Sequence, residues 1–493
     1  MNHLPQTLQL SMLFSLCFLV GCDDPEESEP ITAREYPLLC DQYDGLIPGF
    51  KFDQELVIKK LSAVEDACRT AWTGFGCGTK LGKWTAWNLF FQMAGNTDPS
   101  ALIHEFFKTS FYPDQPVVVN GRQLSKRDLA KNVMLGWRKQ SGCNDDLNAP
   151  CALNRDKAPF RPLAIVNRQD LRNGSYGKGG GGEGRLVFNI LKYDPNNWAA
   201  APKKSQANII FEFNLPNLAL DPGTNAKLWA ERWHKLSTPN MLAEDYNIQL
   251  QTQLTDVFAT AANLAQIRTA EIEYDPAPLP QNKTWSFREY ELRCPIELPN
   301  CLATQRRILP RAVAQTPDSS MNNAANLQHL ELYLNSPQVA ENILNGTNKV
   351  PDTFNGLFFR GAESLASKAS NSTNRVLWGV NKDTFEMVNL TNNQPFKVRH
   401  MFGVTTCNGC HYDETDTNMM FIAGRDPNIE SVLAPFLNTP TVKGATHNFY
   451  ILPFDGDDNW YFQFNEPRRR VCEAVHASKG NALPLTQPNG APH

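Results

Sequence analysis

Apolar positions along the chain alternate between two periods. Over 53–69, Val57, Leu61, Val64 and Cys68 recur at spacings of four, three and four behind Asp53 as N-cap, which predicts an amphipathic helix. The same logic predicts helices at 84–93, at 125–138 with Leu129, Val133 and Trp137 on one face, and along 240–268 with Leu250, Leu254, Phe258 and Leu264. Between them the texture changes: 161–167, 185–191 and 207–213 are short β-rich runs bounded by Pro, Gly and Asn, and they predict a small sheet. The clustered prolines of DPAPLPQNK at 275–283 mark the best internal boundary. After it come strand-like TWSFREYELRC, helical patterns near 323–346 and 431–437, and an aromatic strand at Trp460-Tyr461-Phe462. The expected class is α+β, with a mixed body over 46–280, a C-terminal region over 281–493, and one sheet open to both.

The first 45 residues carry no such pattern. Residues 8–21 form an apolar stretch too short to span a bilayer comfortably, and it ends in Leu19-Val20-Gly21-Cys22. That tetrad resembles the bacterial lipoprotein signal, although no Lys or Arg precedes it. Cleavage would leave Cys22 as a lipidated N-terminus, followed by DDPEESEP, a solvated acidic tether over 22–45. No second apolar run of 18 residues follows. The expectation is a folded body held at a bacterial membrane by lipid, facing the periplasm or exterior.

Charge narrows the partners. Of 493 residues, 47 are Lys or Arg and 51 are Asp or Glu, a net charge of −4, which lacks the basic footprint of a nucleic-acid binder. The one basic run, Arg468-Arg469-Arg470, reads as a solvated face.

Setting aside Cys17 and Cys22, ten of the 12 cysteines remain. An exported chain meets an oxidising compartment, and the close spacings favour Cys68–Cys77, Cys143–Cys151 and Cys294–Cys301, with Cys40 and Cys472 as the residual pair. The last two, in Cys407-Asn408-Gly409-Cys410-His411, match C-x-x-C-H, the attachment motif of c-type haem. Two thiols on one turn can add to the two vinyl groups of one porphyrin while the adjacent imidazole faces the iron. A structural disulfide, a zinc site and a redox dithiol are the competing readings. Zinc lacks a second ligand pair in the sequence, and a thioredoxin-like dithiol would sit in a βαβ context.

Other motifs fall short. Gly177 to Gly182 satisfies G-x-G-x-x-G but leads into strand-like RLVF, so it reads as a loop, with Glu183 and Arg185 beside it able to line a cleft. His104-Glu105 begins like a zincin, but Lys108 stands where the second His is needed.

The segments PLAIVNRQDLR (162–172), GEGRLVF (182–188), IIFEFNLP (209–216) and TTCNGCHYDETDT (405–417) together resemble a family of uncharacterised bacterial lipoproteins described only as cytochrome c domain-containing proteins. The resemblance implies one covalent haem c on Cys407, Cys410 and His411. With export, this favours one-electron transfer with a redox partner protein as the expected function. The rival expectation is a non-catalytic envelope lipoprotein that binds a partner or glycan, with Cys407–Cys410 a disulfide. For the second axial position of the iron the candidates are Met419, Met420, His400, His447 and His476. A helix continuing past His411 would carry both methionines away along its axis at 1.5 Å per residue, so His447 ranks first.

Overall fold

The computed structural model describes residues 49–483 apart from 112–116, 173–179, 275–282, 323–325, 346, 369–393, 412–414, 416, 418, 442–446 and 452–459. Cys22, Cys40 and the N-terminal signal and tether therefore lie outside the described residues. Its centre is an antiparallel sheet of eight strands, β1 Val57–Ile58, β2 Phe160–Arg168, β3 Glu183–Ile190, β4 Ala207–Asn214, β5 Leu264–Tyr274, β6 Lys283–Arg293, β7 Arg307–Arg311 and β8 Ser364–Lys368. The order is β1-β2-β3-β4-β5-β6-β8, with β7 also paired to β6. The fold is α+β, as expected. The sheet runs across the boundary placed at 280, because β5 and β6 on either side of it pair from Ile267↔Tyr290 to Tyr274↔Lys283.

The three β-rich runs become β2, β3 and β4 nearly residue for residue, and TWSFREYELRC becomes β6. The helix predicted over 53–69 does not form. A four-residue turn at Phe52–Glu55 is followed by β1, where Val57 and Ile58 pair with Val166 and Ile165, and by a second short turn at Leu61–Val64. Two adjacent β-branched side chains gain more from the sheet edge than from a helix face. Asp53 sits inside the first turn and Lys51 holds the N-cap position.

Because side chains alternate along a strand, the sheet has two inner surfaces. One carries Ile165, Leu186, Phe188, Ile209, Phe211, Phe213, Ile267 and Tyr290. Against it pack helices α1 Ala86–Met93, α2 Ser100–Phe111, α3 Asp128–Gln140, α4 Pro222–His234 and α5 Glu244–Gln249, the last continuing through a π-helical turn at Leu250–Thr255 to Phe258. The long helix predicted over 240–268 thus ends at Phe258, and Leu264 opens β5 instead. Phe211 is fully buried there, edge-on to Phe90 at 5.3 Å and to Phe188 at 5.7 Å. The opposite surface is covered by α7 Cys407–His411, by Met419 to Ile422 and Leu437, and by α8 Glu466–Ser478, while α6 Gln394–Thr405, just before α7, packs through Val398, Met401 and Phe402 on Leu330, Tyr333 and Ile343. Asn208 Nδ2 donates to the Ile422 carbonyl at 2.7 Å, and Arg469 Nη2 to Asp170 Oδ2 at 2.8 Å.

Disulfides Cys68–Cys77, Cys143–Cys151 and Cys294–Cys301 are all present as expected, and Cys472 is disulfide-bonded as well.

Candidate functional site

The site is built where α7 meets the second surface of the sheet. Thr406, between α6 and α7, accepts from Gly409 N through its Oγ1 at 3.2 Å, which starts a new helical turn at Cys407. The turn lies close against its predecessor: a Cβ on Gly409 would meet the Gly403 carbonyl oxygen at 2.2 Å, so a side chain between the two cysteines would push the turns apart. Thr316 Oγ1 accepts from Cys407 N at 2.8 Å, fastening α7 to the chain beyond β7. Cys407 and Cys410 are fully buried and bonded to no other cysteine. Burial, with Glu289 nearby, pushes the Cys407 thiol up to about 12, and burial pushes Cys410 up too. Both are neutral thiols at physiological pH, unlike the low-pKa thiolate of a redox dithiol.

The His411 imidazole is buried against aromatic rings: Trp285 stacked at 4.7 Å, Phe421 at 4.2 Å and Phe287 at 5.6 Å. Burial pushes its pKa down to about 3, against the opposing effect of a hydrogen bond to Met419, so the ring is neutral at pH 7. Its Nδ1 lies 3.0 Å from the Met419 carbonyl oxygen, which can only accept, so Nδ1 carries the proton and Nε2 is the basic nitrogen. That is the tautomer and the orienting hydrogen bond typical of metal-ligating histidines. Met419 is held at φ +66 to present this carbonyl, a left-handed conformation that costs a non-glycine residue roughly 1–3 kcal/mol.

No helix carries the chain on to the methionines, contrary to the expectation that set them aside: Thr415 lies in a turn and Met419 has a positive φ. The chain doubles back, so that Met419 lies behind the imidazole while Met420 shares a cleft wall with it. His476, on α8, is absent from that wall and contacts Asn481. His447 opens a strand, His447–Ile451, and His400 lies on α6; the side chains of both are outside the described residues.

A cleft beside the imidazole leaves about 60 Å³ open to water-sized molecules. Its wall mixes apolar residues, Phe287, Met420 and Phe421 among them, with Arg168, Arg185, Arg268, Arg470 and Glu212, and Arg268 lies over the Phe287 ring at 5.4 Å. These charges continue across the sheet as a ladder. Arg185 Nε lies 3.2 Å from Glu212, Arg268 Nη1 lies 3.1 Å from Glu212 and Arg268 Nη2 lies 3.0 Å from Glu289. At the β2 end Arg168 holds Asp170 with two parallel hydrogen bonds of 2.9 Å.

From α8, Arg469 pairs with Asp170 and Glu466, and Arg470 with Glu466 at 2.7 Å. The Arg468-Arg469-Arg470 run is therefore no solvated face: none of the three exceeds 8% exposure. Burial would raise Asp170, but Arg168, Arg469 and Arg470 hold it well below the usual carboxylate range. Burial and the neighbouring Arg168 bring Arg470 down to about 10.

Glu183 and Arg185, expected beside a cleft, belong to this network at 2.8 Å from each other, with Arg185 in the cleft wall. The remaining charges were missed. Arg185, Glu212, Arg268 and Glu289 each stand in a different one of four strands, Arg185 opposite Glu212 and Arg268 opposite Glu289, and a charge in a strand equally describes a solvent-facing surface. Among the described residues no group of three or more His, Cys, Asp or Glu side chains converges as for a bare metal ion. Compared with protein-family models, curated proteins and solved structures, the chain shows no match.

Proposed function

We propose that the chain is an exported, lipid-anchored, single-haem c-type protein that passes electrons at the periplasmic face of a bacterial membrane. One observation carries the reading: Cys407 and Cys410 stay unbonded thiols in a chain where every other described cysteine is in a disulfide, and the next residue is a neutral imidazole with Nε2 as its basic nitrogen. The donor set is of the kind such a group takes. Cys407 and Cys410 would form the thioether bonds, His411 Nε2 would ligate the iron, and the Met419 carbonyl would fix the ring. When bound, the haem supplies a one-electron iron couple. Trp285, Phe287 and Phe421 keep the imidazole dry, which lowers the local dielectric and tunes the potential. The disulfides support export, since such bonds persist in oxidising compartments.

The test is the visible spectrum of full-length protein produced with the c-type maturation machinery. The expected result is a Soret band and a sharp reduced α-band, with colour that stays on the polypeptide after denaturation and acid-acetone extraction. Cys407→Ala with Cys410→Ala is expected to remove it. A colourless wild type, or unchanged haem in the double variant, sinks the reading and favours the partner- or glycan-binding envelope protein. Fractionation of Cys22→Ser checks the anchor: the variant is expected to leave the membrane fraction.

A further inference from the structure

We infer that the disulfide-closed loop Cys294–Cys301, with the turn after it, is a contact surface for the anionic lipid interface of a membrane. The inference rests on the membrane location proposed above and uses no residue of the C-x-x-C-H turn. Among the described residues this is the densest run of exposed apolar side chains: Ile296 is 86% exposed, Leu298 43% and Leu302 70%. The Cys294–Cys301 bond closes the loop, and inside it Leu298 N donates to the Pro295 carbonyl at 2.9 Å. Just beyond the bridge, Leu302 N donates to Gln305 Oε1 at 2.8 Å. A loop fastened in this way cannot fold its apolar side chains inward, and it loses little conformational freedom on docking.

Charge identifies the occupant. Beside the loop, Ala261, Ala262, Leu264 and Leu292 line an open hollow of about 840 Å³, and Arg293 and Arg306 stand in the same wall. Within 293–307 three arginines, Arg293, Arg306 and Arg307, outnumber the single acid Glu297. Glu291 lies 3.0 Å from Arg293 and Glu297 3.4 Å from Arg307, exposed pairs that bind weakly, while Arg306 is in no ion pair among the described residues. Apolar tips beside cations suit a lipid interface, where alkyl groups reach the acyl boundary and guanidiniums meet phosphates. Two other strongly exposed leucines stand instead beside acids: Leu220 next to Asp221, and Leu242 close to Glu244 and Asp245. An anionic surface repels those sites and attracts this one. Contact by three side chains is reversible, so it orients a body anchored at Cys22 and does not retain a Cys22→Ser chain through washing.

The test places full-length acylated protein on vesicles of phosphatidylethanolamine and phosphatidylglycerol and reads side-chain oxidation by hydroxyl radicals in a mass spectrometer. Relative to the Cys22→Ser chain free in solution, oxidation of Ile296, Leu298 and Leu302 is expected to fall several-fold, with Leu220 and Leu242 unchanged. Ile296→Asp with Leu298→Asp is expected to restore oxidation at Leu302 while the lipid still holds the chain on the vesicles. Unchanged oxidation at the three positions, or an equal fall at Leu220 and Leu242, overturns the inference and leaves the anchor standing. Protection that persists at Leu302 in the double variant overturns it too, as does equal protection on vesicles of phosphatidylcholine alone. A wild-type chain that does not associate with vesicles overturns the membrane location and this inference together. If the double variant fails to fold, the wild-type pattern on the two kinds of vesicle decides.

Discussion

The two surfaces of the central sheet are made by the same strands and solve opposite problems. On one, Phe188, Phe211 and Phe213 mesh with Phe90, Trp137 and Phe258, and stability comes from area removed from water. On the other, Arg185, Glu212, Arg268 and Glu289 are nearly as deeply buried, yet their attraction largely offsets the loss of hydration. Apolar residues of the same volume would stabilise that second surface at least as well. What the charged surface offers instead is a dry, oriented field beneath His411, which an apolar core cannot supply. The aromatic surface holds the fold and the charged one shapes the site.

The comparison breaks most sharply under truncation. Phe211→Ala is expected to cost about 3–5 kcal/mol in chemical denaturation, and Phe211→Leu to recover most of it, since shape is all that is lost. Arg268→Met is expected to cost a similar 3–5 kcal/mol because Glu212 and Glu289 lose their shared cation. Here the conservative Arg268→Lys should not rescue, as an ammonium cannot bridge two carboxylates with one planar fork. Replacing all three, Arg268→Met with Glu212→Gln and Glu289→Gln, should return stability toward wild type. A triple variant as unstable as the single one would mean that the ladder is a structural necessity.

What was legible in the sequence divides along the same line. Local patterns survived: the C-x-x-C-H turn, the three close disulfides, and β2 to β4 with Leu186, Phe188, Ile209 and Phe211 pointing one way. The charged surface was not legible, because whether the polar side of a strand faces water depends on what covers it. Here the cover comes from residues 405–437 and 466–478, some two hundred positions away. Arg469 and Arg470 were misread for the same reason: their partners Asp170 and Glu466 are acids that only the fold, or a helical turn, brings near. The 53–69 segment failed because its spacing suits a helix while Val57 and Ile58 meet β2.

A buried acid with no guanidinium sharpens the contrast. Glu55 is fully buried beside β1, accepting from Lys51 N at 2.8 Å and lying 3.1 Å from His234 Nδ1. Burial pushes its pKa up to about 8, whereas Asp170, among three arginines, stays low. The folded state then holds a proton that the unfolded chain releases above 4.5. Glu55's favourable contribution is complete below that value and is lost as pH rises toward about 8. Glu55→Gln should flatten the fall in melting temperature across this window, and an unchanged slope would show that Glu55 is ionised in the fold.

The smallest expected effects come from the caps of the two helices that serve the two surfaces. Thr85 Oγ1 accepts from Asn88 N at 3.2 Å to start α1 on the aromatic side, and Asn465 Oδ1 accepts from Arg468 N at 2.9 Å to start α8 on the charged side. Replacing either by Ala should cost about 1 kcal/mol. The consequences should differ in kind. The first turn of α1 presents Ala86 and Trp87 to a core that remains packed on every side, so Thr85→Ala should leave the site untouched. The first turn of α8 carries Glu466 and Arg469, with Arg470 next, and Asn465 Nδ2 also donates to the Pro440 carbonyl at 2.9 Å. Fraying there loosens the partners of Asp170 and with them Arg168 in the cleft wall. Asn465→Ala should therefore match Thr85→Ala in stability but, where the haem proposed above is present, shift its spectrum or midpoint potential. Equal spectra in the two variants would mean that the charged surface tolerates motion in α8 and that the field at His411 is set by the sheet alone.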